Sequence, residues 1–324
     1  MRKIWKEIIT SLLIIFLLFS AVIIALIGIP KETKSWASRF TQTYPQEYSE
    51  IGEERRSFLK EFDDFVISSG TQDNKSIIQF VFSKQFKLNW AVLGGIKEEV
   101  EDFSDNDVLK VWYVYNMGVV GKVNDEVVCF DLSTVVPTPQ LLELSEVCNY
   151  LLLSHGDGDH FNALIIKRVL ENGGKIIIQD DTGMWNEIVK ASVAEDLHGN
   201  IYNLEDRESL KIGEVGVFSL QTSHRGSAEK DNAWMYISVE GFNILHTGDG
   251  TLSDSKEWSE FGEVDLLFAN TILQPIDLRD SNARYIIPLH MHEIGHDKRF
   301  LEWNSFNTYL TKLESFDGDI DSKI

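Results

Sequence analysis

Residues 150–160 read Tyr-Leu-Leu-Leu-Ser-His-Gly-Asp-Gly-Asp-His, an apolar run that breaks into four potential metal ligands, His155, Asp157, Asp159 and His160. The apolar part predicts a buried strand. In extended backbone, alternate residues project to one side, so His155, Asp157 and Asp159 can converge on one point, with Gly156 and Gly158 leaving room. Residues 161–172 then carry helical spacing, Gly173-Gly174 stop it, and Lys175-Ile-Ile-Ile-Gln179 reads as a second strand. The unit is strand, loop, helix, strand, with its polar cluster at a strand's C-terminal end, where open α/β sheets place their sites.

An Asp/Gly-rich loop after a strand is, taken alone, an ordinary turn. A calcium loop is a second alternative, but Asp157-Gly-Asp159-His160 lacks the third spaced oxygen ligand, the turn glycine and the terminal Glu. The loop gains weight from three residues downstream, each closing an apolar segment. His224 ends Val217-Phe-Ser-Leu-Gln-Thr-Ser-His, Asp249 follows Phe242-Asn-Ile-Leu-His-Thr-Gly, and His290 ends Tyr285-Ile-Ile-Pro-Leu-His. Any one would pass as a structural residue; in series they define a candidate metal centre.

The order of these motifs resembles the metallo-β-lactamase superfamily: a His-x-His-x-Asp-His-type loop, a lone His, a Thr-Gly-Asp-type turn and a final His. The resemblance covers roughly residues 109–297, including an upstream hairpin from Val111 to Asp131. Ile287-Pro-Leu-His290 looks most like the branch of ascorbate-lactonase-like and N-acyl-phosphatidylethanolamine-phospholipase-like hydrolases. The loop departs from the family in one place. Where the family has its second His, this chain has Asp157, a variant similar to the hydrolase domain of DNA-uptake competence channels.

The resemblance implies an α/β fold, an αβ/βα four-layer sandwich, and two divalent metal ions. His155, Asp157 and His224 would hold one, Asp159, His160 and His290 the other, and Asp249 would bridge them; Asp159 and Asp249 would be catalytic. It implies metal-dependent hydrolysis. A third carboxylate makes the centre less electrophilic and shifts its preference toward manganese or iron, while the Irving–Williams order still favours zinc. Zinc is the first expectation, manganese or iron the alternatives.

The remaining polar residues carry less information. His246, inside the strand before Asp249, reads as a supporting or core group. Arg225 is a candidate for contacting an anionic substrate group, or a partner in a structural salt bridge. His292 and His296 are candidate substrate-facing acids or loop residues held for solubility, and His198 reads as a turn residue.

The N-terminus adds a second signal. Ile8 to Ile29 is a run of 22 residues without a charge, preceded by Arg2, Lys3 and Lys6. That is long enough to span a bilayer, longer than a signal-peptide core, and without a small-x-small cleavage site. The expectation is an uncleaved single-pass transmembrane anchor, with the body exported by the basic flank. Cys129 and Cys148 both sit in apolar runs and read as buried thiols rather than a disulfide.

The domain reading is then residues 1–30 as cytoplasmic end and anchor, 31–108 as a partly helical juxtamembrane extension, and 109–324 as the hydrolase domain. Within the extension, 48–69 has helix-like spacing, 70–75 a loop, and 76–93 an apolar, aromatic stretch. The acidic end, 316–324, reads as a frayed tail. A net charge of −21 repels nucleic acid and anionic lipid surfaces at long range. The expected substrate is therefore small or lipid-derived, an ester, lactone or phosphodiester, with the membrane met through the anchor. A competence-channel-like phosphodiesterase or nuclease and a non-catalytic metal-binding module are the alternatives.

Overall fold

Strand periodicity in this chain is two-sided, and that decides the architecture. The computed structural model describes residues 41–45, 95–133, 138–179, 194–224, 231–251, 255–270 and 280–290, with isolated positions between them. Among the described residues there are two sheets of seven strands each. The first runs β1 (Thr41–Pro45), β2 (Val108–Tyr115), β3 (Gly118–Val123), β4 (Glu126–Phe130), β5 (Tyr150–Leu152), β6 (Lys175–Gln179) and β7 (Ile201–Leu204) in sequence order. Its first four strands are antiparallel and β4 to β7 are parallel.

The second sheet has the order β12 (Gly250–Thr251), β9 (Val215–His224), β10 (Asn232–Val239), β11 (Phe242–His246), β13 (Val264–Asn270), β14 (Ala283–Leu289), with β8 (Ser209–Ile212) beside β9. It too passes from antiparallel to parallel, between β11 and β13. The C-terminal ends of β4, β5, β9, β11 and β14 carry the residues of interest.

Alternation sorts each strand's side chains between two cores. In the first sheet Leu109, Val111, Val128, Phe130, Leu152 and Ile177 face the second sheet, meeting Val217, Met235, Ile237, Ile244 and Phe268. Their neighbours Trp112, Val114, Cys129, Leu151, Leu153, Ile176 and Ile178 face outward into a separate core. That outer core is closed by helices α1 (Ile96–Asp102), α2 (Pro139–Ser145) and α3 (Ala163–Glu171). Strands buried on both faces read as continuous apolar runs, which is why Leu151-Leu-Leu153 and Ile176-Ile-Ile178 show no polar alternation. The outer face of the second sheet has its own cluster, with Trp234 tilted against Trp258 at 4.8 Å between ring centroids.

Local chemistry sets the helix ends. Thr138 caps α2, its Oγ1 accepting from the Leu141 N–H at 3.2 Å, with Pro139 at the first helical position. Asn162 caps α3 by accepting from the Leu164 N–H at 3.0 Å. Gly173 ends α3 at φ +82°, and a Cβ on Gly174 would collide with the Cys148 carbonyl and Val169.

Four sequence expectations meet this fold differently. Val111 to Asp131 is a three-stranded meander rather than a hairpin, turning at Asn116-Met117 and again at Asn124-Asp125. Cys129 and Cys148 form a disulfide with 6.0 Å between Cα atoms, correcting the free-thiol reading. Cys148 lies in the turn after α2, not in a strand. The Asn149–Val127 hydrogen bonds of 2.7 and 2.9 Å hold that turn beside β4.

The single-pass, extracytoplasmic expectation is also corrected. Among the described residues no helix is long and apolar enough to cross a membrane. The longest, α3, has nine residues, where a span needs about 20. The stretch Ile8–Ile29, the readings of 48–92 and that of 316–324 lie outside the described residues. Two pieces of 31–108 are described: β1 pairs antiparallel with β2, and α1 packs Ile96 and Val100 into the outer core.

Candidate metal centre

The loop after β5 does not stay extended. Residues 158–160 turn, with the His160 and Phe161 N–H groups both donating to the Asp157 carbonyl at 2.9 and 2.7 Å. The turn separates side chains that a straight strand would have placed together. His155 and Asp157 fall on one side, with His155 Nε2 3.5 Å from Asp157 Oδ2. Asp159 and His160 fall on the other, with His160 Nε2 3.6 Å from Asp159 Oδ2.

The second sheet delivers the other three residues from separate strand ends. His224 ends β9 and its Nε2 lies 3.8 Å from Asp157 Oδ2. His290 follows β14. Asp249 sits in the turn between β11 and β12, fully buried, and three imidazoles reach its carboxylate. His160 Nε2 is 3.4 Å from Oδ1, while His224 Nε2 and His290 Nε2 are 3.3 and 3.1 Å from Oδ2. The seven sequence-selected residues thus form one cluster, in which His155–Asp157–His224, His155–His160–Asp249 and Asp159–His160–His290 each hold their donor atoms within 4.8 Å. Arg225, His292 and His296 lie outside the described residues.

These separations are informative. A charged N–H···O bond measures about 2.7–2.9 Å, shorter than all of them. Donors sharing one tetrahedral ion at about 2.0–2.2 Å stand about 3.3–3.6 Å apart, a range that holds four of the six separations, with His290–Asp249 at 3.1 Å just below it and His224–Asp157 at 3.8 Å just above. His155 Nε2 and His160 Nε2 are buried and make no hydrogen bond among the described residues. Two orphaned imidazole nitrogens facing carboxylates fit a metal ion.

Why those nitrogens face inward is settled by Asp131, which the sequence reading passed over as the end of the hairpin. Asp131 follows β4, is fully buried and adopts φ +40°. Its Oδ1 accepts from the Ser154 N–H at 2.8 Å, and its Oδ2 accepts from the Ser154 hydroxyl at 2.6 Å. Asp131 Oδ2 also lies 2.8 Å from His160 Nδ1. A carboxylate only accepts, so His160 Nδ1 carries the proton. With its own hydrogen spent on Asp131, Ser154 Oγ accepts from His155 Nδ1 at 3.0 Å. Both rings are held with Nε2 toward the centre.

The Asp249 turn is held as tightly. Asn232 Oδ1 accepts from the Asp249 N–H at 2.9 Å, and Asn232 Nδ2 donates to Thr222 Oγ1 and the Thr247 carbonyl at 2.9 and 3.0 Å. Asn270 Nδ2 donates to the Gly248 carbonyl at 3.1 Å. Gly248 stands at φ +51°, and a Cβ there would collide with Ser154 and Asn232. A Cβ on Gly250 would collide with Thr222, Asn232 and Trp234. The glycines flanking Asp249 are required by close packing. His246, the last residue of β11 and three residues before Asp249, is no ligand: its Nε2 donates to the Met117 carbonyl at 2.8 Å and its Nδ1 accepts from the Gly248 N–H at 3.1 Å. Burial holds its pKa below the usual imidazole range.

The metal-free charges are strongly coupled. Burial pushes the Asp249 carboxyl up, but His160 and His290 outweigh it and hold it well below the ordinary range. Burial likewise pushes His160 down, and Asp249 with Asp131 reverses that, leaving it raised well above the usual value. His155 is lowered by burial and by neighbouring His160. The facing imidazole of His155, 3.5 Å away, holds half-exposed Asp157 down at about 2.

Residues 122–277 match the family described as a β-lactamase superfamily domain. No curated protein matches the chain. Among solved structures, CmlA, a diiron β-hydroxylase from Streptomyces venezuelae, is 14% identical with a TM-score of 0.51, over 66% of this chain and 52% of that one. The match thus spans about half the length of CmlA. Igni18, a metallo hydrolase from the archaeon Ignicoccus hospitalis, is 14% identical with a TM-score of 0.48, over 64% and 91% of the two chains. YhfI, a metallo-β-lactamase fold protein from Bacillus subtilis, is 15% identical with a TM-score of 0.41, over 55% and 78%. At 14% identity the likeness to CmlA is one of fold. With two mixed sheets face to face, helices outside, and the family match covering the loop, the lone His and the Thr-Gly-Asp turn, residues 122–277 are a β-lactamase superfamily domain.

Proposed function

We propose that this protein is a metal-dependent hydrolase whose centre holds two divalent ions, one by His155, Asp157 and His224 and one by Asp159, His160 and His290, with Asp249 shared between them. One observation carries the reading. The fully buried Asp249 carboxylate is met by the Nε2 atoms of three histidines from three separate segments, at 3.1–3.4 Å. A buried carboxylate so surrounded needs cations, and ions held at both of its oxygens supply them.

A bound pair of this kind supplies a hydroxide at neutral pH and polarises the bond to be cleaved. The chain's own residues prepare for that. Asp131 and Ser154 fix the tautomers of His160 and His155, and Asn232 and Asn270 lock the turn that carries Asp249. Asp157, with 57% of its side chain exposed, forms the open side where a substrate enters.

The substrate class we favour is a small or lipid-derived ester, lactone or phosphodiester. The Ile287-Pro-Leu-His290 likeness supports lactone and phospholipid chemistry, and the net charge of −21 speaks against nucleic acid. Zinc is the leading ion, and the third carboxylate supports manganese or iron as its competitors.

Metal analysis of the purified protein, combined with hydrolysis assays on a lactone, a phospholipid and a phosphodiester panel, tests this. Two ions per chain and hydrolysis of one class, both abolished in Asp249→Ala, is the expected outcome. A chain that keeps two ions and cleaves nothing supports the non-catalytic alternative, and a chain that binds none refutes the ligand assignment.

A further inference from the structure

Asn116, at the turn between β2 and β3, has no role in the sequence reading. It is fully buried and stands at φ +51°, in the left-handed region that Asn tolerates best after Gly. Three separate parts of the centre converge on the turn it forms with Met117. Asn116 Nδ2 donates to Asp159 Oδ2 at 2.8 Å. The Asn116 carbonyl accepts from the His290 N–H at 3.2 Å, holding a residue itself at φ +65°. The Met117 carbonyl accepts from His246 Nε2, whose other nitrogen holds the Gly248 N–H one residue before Asp249.

We infer that Asn116 is a positioning residue for the ion assigned to Asp159, His160 and His290. This rests on the two-ion reading above and adds which of the two ions depends on this turn. Asp159 and His290 come from opposite sheets, and one residue touches both: side chain to the first, main chain to the second. The His155–Asp157–His224 side has no such contact with Asn116 among the described residues.

The amide's orientation follows from chemistry. A carboxylate only accepts, so the nitrogen faces Asp159 and Oδ1 takes the other position. That oxygen is buried and has no hydrogen-bond partner among the described residues. A buried acceptor left so is costly, so the amide is kept for the donation its nitrogen makes to Asp159. Asn116 therefore orients one ligand through Nδ2 and anchors another through its carbonyl.

The test uses the full chain loaded with Mn²⁺ alone. Asn116→Gly removes the amide yet keeps the carbonyl and suits the left-handed backbone. Asn116→Ala removes the amide and strains the backbone, so an effect shared by both belongs to the amide. Paramagnetic resonance distinguishes a coupled ion pair from an isolated ion. The wild type should show the coupled pair, and both variants an isolated ion resembling that of His290→Ala rather than that of His224→Ala. Outer partners of metal ligands are worth about 10–100-fold in affinity, so the weaker binding step should fall tenfold or more and the other stay within about threefold. The melting temperature of the metal-free variants should change little for Gly. Unchanged coupled spectra, or equal weakening of both steps, overturn the inference while leaving the two-ion reading intact. A wild type that never binds two ions overturns the reading itself.

Discussion

The two sheets have the same plan, antiparallel strands giving way to parallel ones, but they equip the centre in opposite ways. The first sheet spends one loop, residues 155–160, to supply four of the seven candidate ligands, and leaves Asp157 largely exposed. The second supplies three from three strand ends, and holds the central one, Asp249, at zero exposure inside a turn whose main chain is bonded on every side. The loop is dense in ligands and loosely enclosed. The turn has one ligand and no freedom. Position in the packing, more than ligand chemistry, decides how much a substitution costs.

The largest expected effect is therefore at a residue that binds nothing. Gly250→Ala places a methyl group against Thr222, Asn232 and Trp234, and overpacking a locked turn should cost about 3 kcal/mol or more. Denaturant unfolding of the metal-free protein reads it. A variant as stable as the wild type would mean the turn yields, and the contrast between the sheets would fail.

Asp157→Ala should cost little fold stability because its side chain already faces solvent. It should lose one ion and keep the other, the affinity for the lost ion falling on the order of 100-fold, no less than when a supporting partner is removed. Asp157→His should restore zinc retention relative to manganese and favour anionic substrates over neutral ones. Metal content by mass spectrometry and paired rates check both. Two ions retained at wild-type affinity in the alanine variant would make Asp157 a bystander.

A subtler contrast is in pH. His160 has a raised pKa in the metal-free fold, so its contribution to stability is full below the unfolded value and is lost as pH rises through the folded one. Asp249 is depressed, so its contribution is present above the unfolded value and lost only as pH falls toward its folded one. The metal-free protein should be most stable between the carboxylate range and the raised imidazole range. Ion binding must displace the His160 proton, so the gain in melting temperature on adding Mn²⁺ should grow as pH rises across that window. A gain independent of pH would mean His160 is not a ligand.

What the sequence revealed follows from the same contrast. The loop is legible because four ligands in six residues are a local pattern, and His224, Asp249 and His290 because each closes an apolar run. Asp131 closes such a run too, after Phe130, and the same rule applied once more would have found it. Asn116, Asn232 and Asn270 are different. Each is an isolated amide in a turn or strand, and its meaning lies in partners 10 to 43 residues away, such as Thr222, Asp249 and Asp159. The disulfide was hidden for a related reason, since it depends on β4 and β5 being neighbours in a sheet. The loop's own geometry was misread in one respect: alternation presumes extended backbone, and the turn at 158–160 sends Asp159 to the opposite side from His155.

The central claim is that Asp249 is shared between two ions. Anomalous diffraction at the absorption edge of the bound metal, from crystals of the manganese- or zinc-loaded protein, tests it most directly. The account predicts two peaks about 3.5–4 Å apart, one beside His155, Asp157 and His224, the other beside Asp159, His160 and His290, with the Asp249 carboxylate between them. A single peak, or two of which neither touches Asp249, would contradict it.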